Sequence, residues 1–281
     1  MLKWPFGFGF AVSIFEETTF TTSSRDDWRR AELYYSHLNF DCAQWAAAWL
    51  RRNPKFLADL RNAPCHSRSD ASWKDGQVRV ISCSENCPMA KWGLRCCRLD
   101  DDRSVFFWLS EYYSQVLTVD AEIPERPGEG VDLRQCSLLK AILRGAKKEL
   151  NLLFSDNART LQVVVRGAES LENRFLLRCM LRGLNDFQTK PLSLRRLCCL
   201  YKRDRLGKAL YPDQKRARHW IEMLRAWDGA QSGACRREIG RAIYGEWAGR
   251  DGWNEAYRSR VQRLIRSAKK MVNGGYLSLL R

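Results

Sequence analysis

Apolar residues recur at helical spacing through the last sixty residues of the chain, in three successive patterns. The first runs from His219 to Trp227. The second runs from Ala234 to Tyr244 and is closed by Gly245. The third is a long stretch from Asn254 to Asn273. At about 100° per residue, Tyr257, Val261, Leu264, Ile265, Ala268 and Val272 of the third stretch fall within roughly a third of the circumference. Arg258, Arg260, Arg263, Arg266, Lys269 and Lys270 cover the opposite half, and Glu255 is the only acid in the stretch. A helix face exposed only for solubility mixes charges of both signs. Helix, short helix, turn and basic helix over 219–273 is the layout of a helix-turn-helix, whose last helix enters the major groove. The plainer reading is a charged outer face on a bundle helix.

Upstream, the same reading predicts smaller elements. Asp41 is placed to cap a helix over Cys42–Leu50, in which Trp45 and Trp49, four apart, share a face as core anchors. Asn53-Pro54 ends that helix, because the residue before proline disfavours the helical region, and a second helix follows over Lys55–Arg61. Strand patterns appear at Gln77–Ser82 and Ser104–Leu109. Glu149–Phe154 and Thr160–Val165 flank a polar tetrapeptide, Ser155–Ala158, and predict a β-hairpin. Helices are expected over Ser170–Leu184 and Leu192–Arg205, with Pro191 and Pro212 at or just before helix starts. The expected fold is α+β and mostly helical: a small N-terminal α/β domain at 26–123, a linker at 124–130, and a unit at 131–281 made of the hairpin and a helical DNA-binding part. The linker is Pro124–Gly130, rich in proline and glycine. Residues 1–25 are apolar and then Thr/Ser-rich. They lack the small-residue cleavage site of an export signal and read as a leader without fixed structure.

Charge sharpens this picture. The 281 residues carry a net charge of +16. Residues 195–281 hold 21 Lys/Arg against 8 Asp/Glu, a balance of +13, whereas residues 1–194 hold 27 against 24, a balance of +3. Positive charge concentrated beside the helix-turn-helix pattern points to a polyanion, and specifically to duplex DNA. A membrane surface fits less well, because the apolar face of the basic helix is needed to pack on the helices before it. No run approaches the twenty or so apolar residues of a membrane span.

Catalytic chemistry has little to stand on. The histidines, His37, His66 and His219, lie in unrelated contexts, and there is no phosphate-binding glycine loop, paired-carboxylate pattern or cofactor motif. The 11 cysteines follow no disulfide framework and fit reduced thiols in the cytoplasm. Cys65, His66, Cys83 and Cys87 lie in one segment, but their loose spacing favours ordinary small apolar side chains over a zinc site.

If the basic helix docks by its N-terminal half, Glu255, Arg258, Ser259 and Gln262 meet base edges, since Arg and Gln suit guanine and adenine and Glu suits the cytosine amino group. Arg260, Arg263, Arg266, Lys269 and Lys270 then meet phosphates, with Arg236, Arg237 and Arg241 flanking from the short helix. Gly240, mid-helix, is expected to allow close approach of the recognition helix. The turn from Gly245 to Gly252 is longer than the usual three or four residues.

These residues carry a resemblance. Trp28-Arg29, Tyr34, the run Trp49-Leu50-Arg51-Arg52-Asn53-Pro54 with Phe56, Lys91-Trp92-Gly93-Leu94-Arg95 and Phe107-Trp108 resemble a transcriptional regulator-like N-terminal domain. Leu224-Arg225-Ala226-Trp227-Asp228-Gly229, the run Gly233–Gly240, Tyr244-Gly245, Trp253, the Arg258–Leu264 segment and the ending Gly274-Gly275-Tyr276-Leu277 to Arg281 resemble the C-terminal domain of the same proteins. The family is that of proteobacterial two-domain transcriptional activators, which includes FseA-type activators of integrative-element excision and RovC-type activators of type VI secretion genes. The resemblance implies a non-enzymatic, cytoplasmic, nucleoid-associated regulator of mobile-element or secretion genes that binds a promoter repeat. A homo-oligomer is expected because two half-sites multiply the specificity of a helix-turn-helix protein, with RNA polymerase or an antiactivator protein as further partners. An antiactivator that binds another regulator rather than DNA is the alternative. The tryptophan-rich N-terminal part is the candidate surface for assembly or polymerase contact. Cys235 and Gly240 depart from the usual residues of the family.

Overall fold

The computed structural model describes residues 28–63, 68–73, 76–83, 87–99, 104–126, 128–145, 148–179, 181, 183–245 and 253–281. The leader at 1–25 and the pair Cys65-His66 lie outside them. A 3₁₀ helix over Ala31–Asn39 leads into α1 (Cys42–Leu50) and α2 (Pro54–Arg61). α1 begins at the expected Asp41 cap, and Asn53, expected only to end α1, also caps α2. Asp41 accepts from the Gln44 amide at 2.8 Å, and Asn53 accepts from the amides of Lys55 and Phe56. Such caps satisfy amides that the first helical turn leaves unbonded.

The middle of the chain departs most from expectation. A seven-stranded sheet in the order β1-β2-β6-β7-β8-β5-β9 takes in the expected hairpin and the strand expected at Gln77–Ser82, and adds strands the sequence did not suggest. Its strands are β1 (Arg68–Trp73), β2 (Gly76–Ser82), β5 (Leu117–Glu122), β6 (Leu139–Arg144), β7 (Glu149–Ser155), β8 (Thr160–Arg166) and β9 (Leu176–Cys179). The expected hairpin is β7–β8, and it lies at the centre of the sheet. Neighbours are antiparallel except β2/β6 and β5/β8, which run parallel. A two-stranded ribbon, β3 (Leu94–Arg98) and β4 (Val105–Trp108), packs over one face. β7 and β8 are buried residue after residue rather than alternately, as strands covered on both faces are. The stretch 124–130, expected as an inter-domain linker, connects strands of one sheet. Strands β1, β2 and β5 precede it and β6 to β9 follow it, so strand pairing does not break there.

Among the described residues of the helix expected at Ser170–Leu184, only Gly183 and Leu184 are helical, as the start of the next helix. Leu171 and Phe175 are buried against the sheet, Phe175 bridges Val131, and β9 pairs with β5; tertiary pairing overrides the local helical pattern. One helix, α3 (Gly183–Arg203), then runs through Pro191. Proline removes a bond and crowds the preceding turn, but contacts on both sides hold the helix. Lys190 Nζ donates to the carbonyls of Ser114 and Val116, Ser193 Oγ to that of Gln115, and Arg196 to that of Leu210. Pro212 stands well ahead of α4 (Ala217–Gln231), which begins two residues earlier than expected. α5 (Arg236–Tyr244) and α6 (Glu255–Val272) complete the chain with a final 3₁₀ turn, Gly275–Leu279.

Two main cores result. One lies between the sheet and α3, with Leu117, Leu152, Phe154, Val163, Leu197 and Leu200. The other joins the two ends of the chain: Trp28, Trp45, Trp49 and Phe56 pack with Trp220, Leu224, Ile239, Val261, Leu264 and Tyr276. Trp28, Trp45 and Trp49 are each 0 % exposed. They build the support of the C-terminal helices and present no surface to a partner.

Candidate nucleic-acid interface

α4 is the platform on which the other two C-terminal helices rest. Its apolar face, with Trp220, Ile221, Leu224 and Trp227, is buried, and it packs on both α5 and α6. α6 begins at a cap, as its sequence implies: Asn254 accepts from the amides of Ala256 and Tyr257. Val261, Leu264, Ala268 and Val272 are buried, and Tyr257 and Ile265 are partly so, which is the expected inner face. At its far end the Val272 carbonyl accepts from Asn53 Nδ2 at 2.9 Å. Gly274 (φ 116°) then turns the chain, and Tyr276 and Leu280 fold back into the core.

Charged residues sit inside this platform, and sequence reasoning missed their role. Arg52 grips Asp228 through Nε and Nη2, both at 2.7 Å, while Tyr34 Oη donates to the same carboxylate at 2.8 Å. Arg225 donates to the carbonyls of Trp28, Arg29 and Ala242, tying the end of α5 to the N-terminal segment. Burial, opposed by the Coulomb pull of Asp228, acts on Arg52, and its pKa moves up; the guanidinium stays charged. The available signal was the pair Arg225 and Asp228 interrupting the apolar face of α4. A charge on such a face is kept only when partnered.

Gly240 has a different neighbour from the expected one. A Cβ placed there would lie 2.3 Å from Cζ3 of Trp253, the residue just before the Asn254 cap of α6. The glycine therefore seats the indole that leads into α6 rather than α6 itself. Gly245 closes α5 with φ 100° and ψ 170°, a region open to glycine alone. The long turn after it lies outside the described residues from 246 to 252.

Every residue expected at the DNA surface lies on α5 or the outer side of α6. Arg236, Arg237 and Arg241 are exposed on α5, and Glu255, Arg258, Arg260, Arg263, Arg266, Lys269 and Lys270 are exposed on α6. Ser259 and Gln262 are half-buried. Glu255 holds two of its neighbours, pairing with Arg258 at 3.4 Å and accepting from Ser259 Oγ at 3.4 Å. The Arg260 guanidinium stacks 4.6 Å from the Tyr244 ring centroid, which joins the end of α5 to α6.

The other candidate centre, Cys65, His66, Cys83 and Cys87, lies only partly within the described residues. Among the described residues no group of His, Cys, Asp and Glu is arranged to hold a metal ion, and Cys65 and His66 fall outside them. Burial pushes the Cys42 thiol up to about 11 and raises Cys97 further, which keeps both protonated at neutral pH. No helix among the described residues is long and apolar enough to cross a membrane.

Residues 181–281 match a family model described as the type VI secretion (T6SS) transcription factor DNA-binding domain. The matched stretch takes in α3 to α6. No curated protein and no solved structure matches the chain.

Proposed function

We propose that the chain is a sequence-specific DNA-binding regulator of transcription in which α6 is the recognition helix. One observation carries the reading. α6 buries its apolar face on α4 and turns outward a face on which Arg258, Arg263, Arg266, Lys269 and Lys270 are exposed, with Arg260 stacked on Tyr244 at its edge. Glu255, Arg258, Ser259 and Gln262 occupy its first two turns and read base edges. Arg260, Arg263, Arg266, Lys269 and Lys270, with Arg236, Arg237 and Arg241 of α5, neutralise phosphates. The description of the matched family and the N-terminal motif residues favour an activator of secretion or mobile-element genes. We further propose that it acts as a homo-oligomer on a promoter repeat, since two half-sites multiply specificity.

Footprinting of the purified chain on the DNA upstream of its own gene tests this. The expected result is a protected repeat, with binding that weakens steeply as salt rises. Absence of protection, together with salt-independent association, would reject it. One observation favours the antiactivator as second reading: Leu184 and Phe187, 81 % and 60 % exposed, project from the start of α3. That reading expects a regulator protein to co-purify while DNA goes unbound.

A further inference from the structure

About half of the positive excess in the last third of the chain lies outside α5 and α6. Residues 195–218 carry nine Lys/Arg against two Asp, Asp204 and Asp213. Arg196 is buried and bonded to the Leu210 carbonyl. The other eight cations are exposed. They run from the end of α3, through the turn at 204–216, onto the first turn of α4.

These cations differ from those of the sheet. In and beside the strands several cations are matched: Arg95 pairs with Glu149 at 3.1 Å, Arg166 with Asp120 at 2.8 Å, Arg178 with Glu122 at 2.6 Å and Lys148 with Glu169 at 3.0 Å. Among the described residues, none of the eight is in an ion pair. Asp204 is engaged elsewhere, its Oδ1 accepting from the Ser137 amide at 2.7 Å, which ties the turn to the sheet.

Stability does not account for the arrangement. Lys202 and Arg203 complement the C-terminal end of α3, where the helix dipole favours cations. Lys215, Arg216 and Arg218, however, surround the start of α4, where the dipole disfavours them. The first turn of α4 has no acid, and Arg216 provides no side-chain cap. A lipid surface fits poorly, since it needs an exposed apolar face beside the cations. Leu197, Leu200, Leu206, Tyr211 and Ala217 of this segment are buried, and Leu210 is partly so.

We propose that the end of α3, the 204–216 turn and the start of α4 form a second phosphate-binding face for duplex DNA, which holds backbone beyond the groove that α6 enters. The proposal rests on α6 docking to DNA. It predicts a footprint longer than one recognition helix needs.

The test uses the full chain and the quadruple variant Lys202→Gln/Arg203→Gln/Arg205→Gln/Lys208→Gln, with random-sequence duplexes of about 12 and about 40 base pairs, roughly one and four helical turns. Each phosphate contact adds about 0.9 to the log–log salt slope. The unaltered chain should show a slope steeper by about 3–4 on the long duplex than on the short one. The quadruple variant should lose that increment, bind the short duplex like the unaltered chain, and bind the long one on the order of 10²–10³-fold more weakly near 0.1 M salt. The variant Arg203→Lys/Arg205→Lys should keep the increment, because neutralising a phosphate needs charge alone. The proposal fails if the quadruple variant retains the long-duplex slope, or if it weakens both duplexes equally. An unaltered chain that binds neither duplex would mean that α6 itself does not dock to DNA, a distinct outcome that removes the premise.

Discussion

Substituting Gly240 with alanine tests how the candidate recognition helix α6 is aimed. The new methyl would stand 2.3 Å from Cζ3, 3.1 Å from Cη2 and 3.3 Å from Cε3 of the Trp253 indole. Carbon atoms rest at about 3.5–4.0 Å, so the ring must retreat by more than an ångström. Overpacking of this kind costs about 1–3 kcal/mol. Against it stands the gain of replacing a mid-helix glycine by alanine, about 0.5–1 kcal/mol. The net expectation for Gly240→Ala is a loss on the order of 1 kcal/mol from these two terms. DNA affinity should also fall, because Trp253 immediately precedes Asn254, the cap that starts α6. The decisive measurement is a double-mutant cycle by urea unfolding. In a Trp253→Ala background the clash is gone and only the propensity gain remains, so Gly240→Ala should there become stabilising by about 0.5–1 kcal/mol. The same cost in both backgrounds would refute the assignment of Gly240 as the seat of the indole.

Four further outcomes follow from the structure. Arg263→Ala should flatten the log–log salt dependence of DNA binding by about one unit on any sequence, whereas Gln262→Ala should relax specificity at one or two positions; gel-shift titrations on cognate and scrambled duplexes separate the two, and an unchanged Arg263→Ala slope removes that residue from the contact set. Asp228→Asn should destabilise the fold by about 3–5 kcal/mol in chemical denaturation, because it leaves the mostly buried Arg52 guanidinium without its carboxylate; a loss below about 1 kcal/mol would mean the pair is solvated like a surface one. Burial, then the charges of Arg52 and Arg51, hold His37 down at about 4; a histidine whose folded pKa lies below the unfolded value near 6.5 leaves stability intact above that value and erodes it as pH falls toward 4. Partial exposure discounts the effect to about 1–2 kcal/mol between pH 7 and 5, and His37→Gln should remove that part of the acid sensitivity, as thermal melts at the two pH values would show.

The C-terminal helices were legible in the sequence because each declares itself locally. Asn254 and Asn273 bracket α6, Gly245 closes α5, and the 3.6-residue pattern fixes which side is buried. The cap at Asp41 was legible for the same reason. The sheet was not. Its parallel pairings, β2 with β6 and β5 with β8, join strands about 45 to 60 residues apart, and nothing local encodes such a partner. The apolar runs of β7 and β8 did hold a clue, since uninterrupted burial marks central rather than edge strands. The helix expected at Ser170–Leu184 failed because β5 offers β9 an edge that the local pattern cannot see. The candidate DNA face was legible on α5 and α6, whereas the cations at 195–218 entered only as a sum of charge. Their separateness appears once their lack of acidic partners is compared with the paired cations of the sheet.

Chain order hides how the motifs of the two ends fit together. The N-terminal motif residues meet the C-terminal ones directly. Tyr34 and Arg52 converge on Asp228, Asn53 holds the last carbonyl of α6, and Tyr276 Oη donates to the Trp92 carbonyl at 3.0 Å. One glycine of each motif set is a close-approach site for the opposite end. A Cβ on Gly229 would lie 3.0 Å from the Trp28 indole, and one on Gly93 would lie 3.0 Å from Leu277. The two motif sets are thus the two sides of one packed interface, in which the Trp-Leu-Arg-Arg-Asn segment fixes α4 and the far end of α6. The N-terminal helices are therefore part of the mounting of the candidate recognition helix. A change at Arg52 or Asn53 reaches the proposed DNA face through Asp228 and the Val272 carbonyl, without touching DNA.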